Sequence, residues 1–264
     1  MSRENGAEWD PAQYGIFGGE RARPFAELIA RLGDAAPARV ADLGCGSGEL
    51  TAALAARWPG AVIDALDSSP EMIAEAREHE IPGRLSFRVG DVTAWKPDGP
   101  VDLIVSNAVL QWVPEHLDLL PAWVDALAPG GRLAFQVPGN FGAPSHVLLR
   151  ELARSDRWRA KLGHLQRDAP VLDPAGYLGL LARRGCAVDA WETTYLQVLH
   201  GDDPVLEWVK GTALRPVLSA LGPAETGEFL AAYRDRLRRA YPAAPYGTVF
   251  PFRRIFVIAT RNTT

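Results

Sequence analysis

The sequence predicts an α/β fold: a doubly wound, mostly parallel sheet of seven strands with helical segments inserted as a cap. Short apolar runs alternate with helical patterns up to about residue 140, which is typical of consecutive β-α-β units. A glycine-rich turn follows the first run, and folds of this class bind ligands at the carboxyl ends of their strands. After residue 140 the pattern becomes mainly helical, which predicts the cap.

The individual elements follow from local composition. Runs rich in β-branched and aromatic residues predict strands at 39–43, 61–66, 85–89, 101–105, 132–137, 193–199 and 249–259. Helices are predicted at 50–57, at 70–79 with Ser68 or Ser69 as the N-cap, and at 114–127, where Pro129-Gly-Gly131 ends the helix. Residues 144–185 and 204–241 are predicted to be mostly helical, with breaks at prolines and glycines.

These elements predict six successive segments. The α/β core at 31–142 follows an N-terminal helical lid at 1–30. Two helical cap segments, 143–186 and 202–246, alternate with a late core strand at 187–201 and the last core strand at 247–264.

Composition and charge exclude several classes of protein. The 264 residues are 47% hydrophobic and 23% charged, which is ordinary for a globular protein. The net charge of −4 argues against a nucleic-acid partner, and no apolar run is long enough to cross a membrane. Two cysteines are too few for a disulfide framework or a zinc site, so we expect no metal and a cytoplasmic location.

A glycine loop separates the first predicted strand from the first predicted helix. It reads Asp42-Leu-Gly-Cys-Gly-Ser-Gly48, and its glycines permit a tight turn and close approach of a ligand to the backbone. The G-x-G-x-G spacing is one residue shorter than the G-x-G-x-x-G fingerprint of dinucleotide sites. The charge of Asp42 opposes a pyrophosphate and suits a cationic ligand such as S-adenosylmethionine.

Two further carboxylates follow the next two strands. Asp67 ends the second strand, where a carboxylate accepts both ribose hydroxyls, although dinucleotide folds use the same position. Asp91 follows the third strand, where it is placed to hold the adenine amino group. The ordered set of Asp42, Asp67 and Asp91 favours S-adenosylmethionine over a dinucleotide and over an ordinary turn.

This arrangement resembles the class I S-adenosylmethionine-dependent methyltransferases, whose sheet is Rossmann-like. In that family the loop after the fourth strand faces the sulfonium, and here that loop is 106–112. The resemblance implies S-adenosylmethionine as cofactor and S-adenosylhomocysteine as its product. The expected cofactor-binding residues are Asp42, Gly44, Cys45, Gly46, Gly48, Asp67, Ser68, Met72, Asp91, Val92, Asn107, Ala108 and Trp112.

Further blocks, from about residue 9 to the C-terminus, are similar to trans-aconitate methyltransferases. The late blocks are more specific than the glycine loop, because unrelated methyltransferases need not share the cap. Ser47 stands where proline is expected to be frequent in that family. The blocks are Trp9-Asp-Pro-Ala-Gln-Tyr14, Arg21-Ala-Arg-Pro24, Asp67-Ser-Ser-Pro-Glu-Met72, Ser106-Asn-Ala-Val-Leu-Gln-Trp-Val-Pro114, Gln136-Val-Pro-Gly-Asn140, Pro144-Ser-His146, Trp208-Val-Lys-Gly-Thr-Ala-Leu-Arg-Pro216 and Gly247-Thr-Val-Phe-Pro-Phe-Arg-Arg254.

The resemblance implies methyl transfer to a carboxylate of trans-aconitate, a small tricarboxylic acid, giving its monomethyl ester. A carboxylate with a pKa of about 4 is ionised at neutral pH, so we expect positioning alone and no catalytic base. Binding a multiply anionic substrate calls for arginine, whose planar fork pairs with carboxylates. The predicted substrate-binding residues are Trp9, Tyr14, Arg21, His146, Arg215, Arg253 and Arg254.

Three alternatives stay open on sequence alone. The first is a class I methyltransferase for another small acid, a hydroxyl or an amine. The second is a dinucleotide oxidoreductase, which the glycine spacing and Asp42 disfavour. The third is a non-catalytic binding module, which the intact set of aspartates disfavours. The sequence predicts no oligomeric state.

Overall fold

The computed structural model describes residues 18–165 and 170–263. The strands are β1 (Arg39–Leu43), β2 (Val62–Asp67), β3 (Leu85–Val89), β4 (Val101–Asn107), β5 (Leu127–Pro138), β6 (Cys186–Leu199), β7 (Ala243–Ala244) and β8 (Gly247–Arg261). They form one sheet in the order β3-β2-β1-β4-β5-β8-β6, with the short β7 paired to β8.

Helices connect most of these strands. The described α-helices are α1 (Gly18–Ala30), α2 (Glu49–Arg57), α3 (Pro70–Ala76), α4 (His116–Asp125), α5 (Pro144–Ala153), α6 (Arg159–Leu162), α7 (Pro174–Ala182), α8 (Pro204–Lys210), α9 (Arg215–Ala220) and α10 (Pro223–Ala240). Single turns of 3₁₀-helix lie at Arg77–His79, Leu110–Trp112 and Gly163–Leu165.

The first five strands are parallel to one another, and β8 runs antiparallel to β5. The predicted α/β class with a mostly parallel sheet is therefore confirmed. The strand order reverses between β1 and β4, and such a reversal marks the place where doubly wound sheets bind ligands. In β4, Leu103, Ile104 and Val105 are all buried, as expected for a parallel strand covered on both faces.

The start of α3 is set by local sequence. Ser69 is the N-cap, and its hydroxyl accepts a hydrogen bond from the backbone nitrogen of Met72 at 3.2 Å. Pro70 occupies the first turn, where its missing N–H and fixed φ suit the helix. Of the two serines predicted as the cap, Ser69 has this role, while Ser68 is exposed.

The predicted end of the helix after β4 is wrong in detail. Helix α4 ends at Asp125, and β5 already begins at Leu127. The Pro129–Gly131 segment lies inside β5, where the register with β4 shifts between Val101 and Leu103. A Cβ on Gly131 would lie 2.8 Å from the Ala128 carbonyl oxygen, so glycine is required by this bulge rather than by a helix end.

The described residues form two compact units. The larger comprises 19–138, 170–193 and 254–263, and the smaller comprises Gly18, 139–165 and 194–253. The core of the larger unit joins residues of β1, β4 and β5 with Tyr177 and Leu181 of α7. The core of the smaller unit is rich in aromatic side chains, among them Trp158, Trp208 and Phe250. Each unit therefore has its own apolar core.

Candidate active site

The glycine loop joins β1 to α2 and leaves one face of its backbone open. Gly44 has a φ of 93°, and a Cβ there would lie 2.1 Å from the Val109 side chain, so the packing demands glycine. Gly46 has a φ of 56°, and a Cβ there would meet no protein atom within 4 Å. Gly44 is thus fixed by the protein itself, whereas Gly46 borders open space in which a ligand can approach the backbone.

Asp67, the last residue of β2, is held in one orientation by two backbone N–H groups. Its Oδ2 accepts from the Gly46 nitrogen and its Oδ1 from the Ser69 nitrogen, both at 3.0 Å. The side chain is half-buried. Because each carboxylate oxygen has two lone pairs, Asp67 retains capacity to accept the two hydroxyls of a ribose.

Asp42 lies behind the loop rather than on its open face. It is 2% exposed, and its Oδ2 accepts a hydrogen bond from the Thr51 hydroxyl at 2.6 Å. Burial raises the pKa of Asp42 to about 6, with the Thr51 hydrogen bond lowering this pKa and the charge of Asp67 raising it. Because Asp42 is buried, its negative charge is placed to attract a cationic ligand across the backbone of the loop, without direct contact.

The remaining residues predicted around the loop have different environments. Asp91 is exposed, and its Oδ1 accepts from the Thr93 nitrogen at 2.8 Å. Val92 and Met72 are buried. Cys45 is buried within the loop, and burial raises the pKa of its thiol far above the usual range, so it stays protonated and is no nucleophile.

The loop after β4 is held by a glutamine that the sequence reading missed. The Gln136 amide nitrogen donates to Asn107 Oδ1 at 2.5 Å, and the Gln136 carbonyl accepts from the Ala108 nitrogen at 2.9 Å. Ala108 has a left-handed φ of 57°, which is uncommon for a residue with a Cβ. Trp112 follows and is 42% exposed. The sequence feature that indicates such a role is a single amide side chain, Gln136, within an otherwise apolar strand.

Two consecutive arginines in β8 have different partners. Arg254 is 6% exposed, and its Nη1 donates to Gln136 Oε1 at 3.3 Å. Arg253 is half-buried, and its Nη1 donates to the Gly139 carbonyl at 3.0 Å. The alternation of side chains along a strand explains the separate partners.

The other predicted substrate residues are described only in part. Burial, and then the charge of Arg150, lower the pKa of His146 to about 4, so at neutral pH it is an uncharged hydrogen-bonding group. Arg215 begins α9 and is half-buried. Trp9 and Tyr14 lie outside the described residues. Arg21 lies in α1, and its side chain is also outside the description.

The part of the chain that the structure describes contains neither a candidate metal site nor a helix that could span a membrane. Within residues 18–165 and 170–263, no cluster of three His, Cys, Asp or Glu side chains is placed to hold a metal. In the same ranges, every helix is too short or too polar to span a membrane.

The smaller unit has a cavity of about 470 Å³ whose lining, including Pro144, Tyr241 and Tyr246, has no charged side chain. That cavity does not suit a tricarboxylate.

Comparison with known proteins agrees with the fold. Residues 17–190 match the model of a methyltransferase domain family. A putative methyltransferase of Haloferax volcanii, solved with the Trm112 methyltransferase activator, superposes with a TM-score of 0.56 at 19% identity, over 96% of this chain and 95% of that one. The plantazolicin methyltransferase BpumL, solved with S-adenosylhomocysteine, gives a TM-score of 0.54 at 13% identity, covering 96% and 89%. These likenesses show the fold, and the chain belongs to the class I S-adenosylmethionine-dependent methyltransferases.

Curated relatives narrow the family. A trans-aconitate 2-methyltransferase of Streptomyces avermitilis is 58% identical over 96% of this chain and 97% of its own length. Similar proteins from Streptomyces coelicolor, at 56% over 96% and 86%, and Mycobacterium tuberculosis, at 51% over 95% and 96%, have the same name. This chain is a member of the trans-aconitate 2-methyltransferase family.

Proposed function

We propose that the enzyme transfers the methyl group of S-adenosylmethionine to one carboxylate of trans-aconitate, forming a monomethyl ester. The observation that carries the proposal is the similarity to relatives named for this activity, at 51–58% identity over at least 95% of the chain. That span includes both compact units, so the similarity extends beyond the larger unit, which contains the glycine loop.

The residues at the glycine loop fit the methyl donor. Asp67 has lone pairs for the ribose hydroxyls, Gly46 borders open space, and Asp42 provides negative charge behind the loop. The donor supplies, when bound, an electrophilic methyl group on a sulfonium. We further propose that Asp91 and Val92 contact the adenine, and that the Gly44–Gly48 turn holds the methionine end. The other cofactor contacts proposed are Cys45, Ser68, Met72, Asn107, Ala108 and Trp112.

The substrate needs no base from the protein. A carboxylate with a pKa of about 4 is ionised at neutral pH, so the chain must orient one of its oxygens and exclude water. Cys45 and His146 agree with this assignment, because the thiol stays protonated at neutral pH and the pKa of about 4 makes the His146 imidazole a weak base. The catalytic contribution of the protein is therefore positioning and charge complementarity.

The anionic substrate is assigned to basic and aromatic side chains. Guanidinium groups bind carboxylates bidentately, which is why arginines are the main candidates. We propose Arg21, Arg215 and one of the pair Arg253 and Arg254 for this role, because the two consecutive side chains of that pair point to opposite faces of β8. His146 is proposed as a neutral hydrogen-bond donor. Trp9 and Tyr14 complete the proposed set of contacts.

We infer a cytoplasmic enzyme whose partner is a small anion rather than a nucleic acid. The net charge of −4 supports the second point. Cys45 and Cys186 are both free, which is the usual state of thiols in a reducing compartment. Fractionation of cells that produce the protein should recover it in the cytosol; recovery outside the cell would contradict the assignment.

The test is methyl transfer from labelled S-adenosylmethionine to trans-aconitate, with cis-aconitate, citrate and a monocarboxylic acid measured alongside. We expect strong preference for trans-aconitate and a product that loses its label as methanol in mild alkali, as an ester does. Label that survives alkali would indicate transfer to a hydroxyl or amine. Transfer to another acid only would retain the chemistry and reject trans-aconitate as the substrate.

A further inference from the structure

The carboxyl edge of the sheet carries hydrogen-bond acceptors on one half and an amide network on the other. The change falls between the neighbouring strands β1 and β4, where the strand order reverses. Strand β8 is antiparallel to β5, so the start of β8 lies at the same edge as the end of β5. The acidic half consists of Asp42, Asp67 and Asp91; the amide half consists of Asn107, Gln136 and Arg254.

The amide half lies on one face of the sheet. Asn107 is paired with Gln136 in the register of β4 and β5, and paired residues point to the same face. Gln136 is also paired with Phe256, and Arg254 is two residues away from Phe256 on the same strand face. Gln136 is 1% exposed, whereas Asn107 is half-buried, so Asn107 alone of these two is accessible to a ligand.

Arg254 fixes the direction of the amide network. A guanidinium only donates hydrogen bonds, so the Gln136 atom at 3.3 Å from Arg254 Nη1 has to be the oxygen. The Gln136 amide nitrogen therefore faces Asn107 and donates to its Oδ1 at 2.5 Å. The amide nitrogen of Asn107 is consequently turned away from Gln136. The hydrogen bond from Arg254 therefore determines which atom of the Gln136 amide is the oxygen and which is the nitrogen.

Asn107 thus presents two N–H donors beyond the network. Among the described residues, none accepts a hydrogen bond from the Asn107 amide nitrogen. Gln136 also fixes the following turn, because its carbonyl accepts from Ala108, which has the left-handed φ of 57°. One buried glutamine therefore holds both the side chain and the backbone at the end of β4.

We propose that Gln136 is a positioning residue that, held by Arg254, keeps the Asn107 amide nitrogen turned outward as a hydrogen-bond donor to a ligand carboxylate. The inference rests on the proposed function, which provides two carboxylate sources, the acid substrate and the methionine part of the methyl donor. A reversed Asn107 would present its oxygen and repel either carboxylate.

Two substitutions at Gln136 separate positioning from support of the fold. Gln136→Glu keeps an acceptor for Arg254 but offers Asn107 only oxygens, which forces the Asn107 amide to reverse. Gln136→Met leaves Asn107 free to take either orientation and removes the acceptor that Arg254 uses. We expect the KM for trans-aconitate to rise at least about tenfold in Gln136→Glu and less in Gln136→Met. A purely structural glutamine gives the opposite order, since Gln136→Met loses more contacts.

The background variant Asn107→Ala shows whether Gln136 acts through Asn107. In this background, Gln136→Glu should cause no further rise in KM, because the group it misorients is absent. Binding of S-adenosylhomocysteine, measured by calorimetry on the same variants, identifies the carboxylate. A rise in KM with unchanged affinity for S-adenosylhomocysteine assigns it to the acid substrate, and the reverse assigns it to the methionine part of the methyl donor. Full additivity of the two substitutions overturns the proposal.

Hydrogen exchange of the Asn107 side chain can be measured without methyl transfer, so it tests this inference separately from the proposed function. In the NMR spectrum, the side-chain amide protons of Asn107 should exchange readily with water in the unsubstituted protein. They should become protected in Gln136→Glu, where the new carboxylate accepts them. Equal protection in both proteins overturns the inference. Absence of ester formation from trans-aconitate, with the expected change in protection, instead rejects the proposed function alone.

Discussion

The acidic half and the amide half of the sheet edge are built by different kinds of contact. Asp67 and Asp91 each accept a hydrogen bond from the backbone nitrogen two residues later, in Ser69 and Thr93, and Asp67 also accepts one from the Gly46 nitrogen. The amide half is held between side chains that are 29 and 118 residues apart in the sequence. Backbone nitrogens thus orient the aspartates assigned to the methyl donor, while side chains of neighbouring strands orient the Asn107 amide assigned to a carboxylate.

The largest expected effect is on Asp67. Asp67→Ala removes the ribose acceptor and the partner of the Gly46 and Ser69 nitrogens, so affinity for S-adenosylhomocysteine should fall at least about a hundredfold in calorimetry. Asp64→Ala is the matched control, because Asp64 lies on the same strand with an exposed hydrogen bond to Ser86. Equal losses in both variants would mean that the acidic half has no special role.

Substitutions in the glycine loop separate packing from ligand contact. Gly44→Ala places a Cβ against Val109, so the free energy of unfolding should fall by about 2–4 kcal/mol in chemical denaturation. Gly46→Ala meets no protein atom and should lose only about 1 kcal/mol, for its positive φ.

The same pair should behave oppositely toward the ligand. Gly46→Ala fills the open space and should weaken S-adenosylhomocysteine binding beyond what its small loss of stability explains. Unimpaired binding by folded Gly46→Ala would place the ligand elsewhere.

The pH dependence of methyl-donor binding tests Asp42. With its pKa raised to about 6, Asp42 is mostly protonated at pH 5, and a cationic ligand favours its ionised form. Affinity for S-adenosylmethionine should rise up to about tenfold between pH 5 and pH 7 and then level off. Asp42→Asn should flatten this profile; an unchanged slope in that variant would show that the charge of Asp42 does not act on the ligand.

The raised pKa also has a consequence for stability. The folded protein holds the Asp42 proton more tightly than the unfolded chain, whose pKa is near the ordinary value of 3.8. The stabilising contribution of this proton is complete below pH 3.8 and is lost as the pH rises through about 6. In Asp42→Asn this part of the pH dependence of unfolding should disappear.

The smallest effect concerns Thr51. Its hydroxyl hydrogen bond lowers the pKa of Asp42, so Thr51→Val should raise that pKa and move the binding profile to higher pH, by about one pH unit at most. Thr51→Ser keeps the hydroxyl and should leave the midpoint in place. A shift to lower pH in Thr51→Val would contradict the assigned hydrogen bond.

The difference between the two halves also explains what the sequence could predict. The parallel sheet, the glycine loop and Asp67 follow from local periodicity and spacing. Gln136 was missed because its partners become neighbours only when β4, β5 and β8 pair. The neutral state of His146 was equally hidden, since burial and Arg150 set its pKa.

The most direct test compares Asp67→Ala and Gln136→Glu in one set of measurements, with the Kd for S-adenosylhomocysteine and the KM for trans-aconitate determined for each. We expect Asp67→Ala to raise mainly the Kd and Gln136→Glu to raise mainly the KM, with both proteins melting as folded enzymes. A rise in the Kd alone in Gln136→Glu would assign its carboxylate to the methionine part of the methyl donor. If both substitutions raise the same constant to the same extent, the two halves do not recognise different ligands.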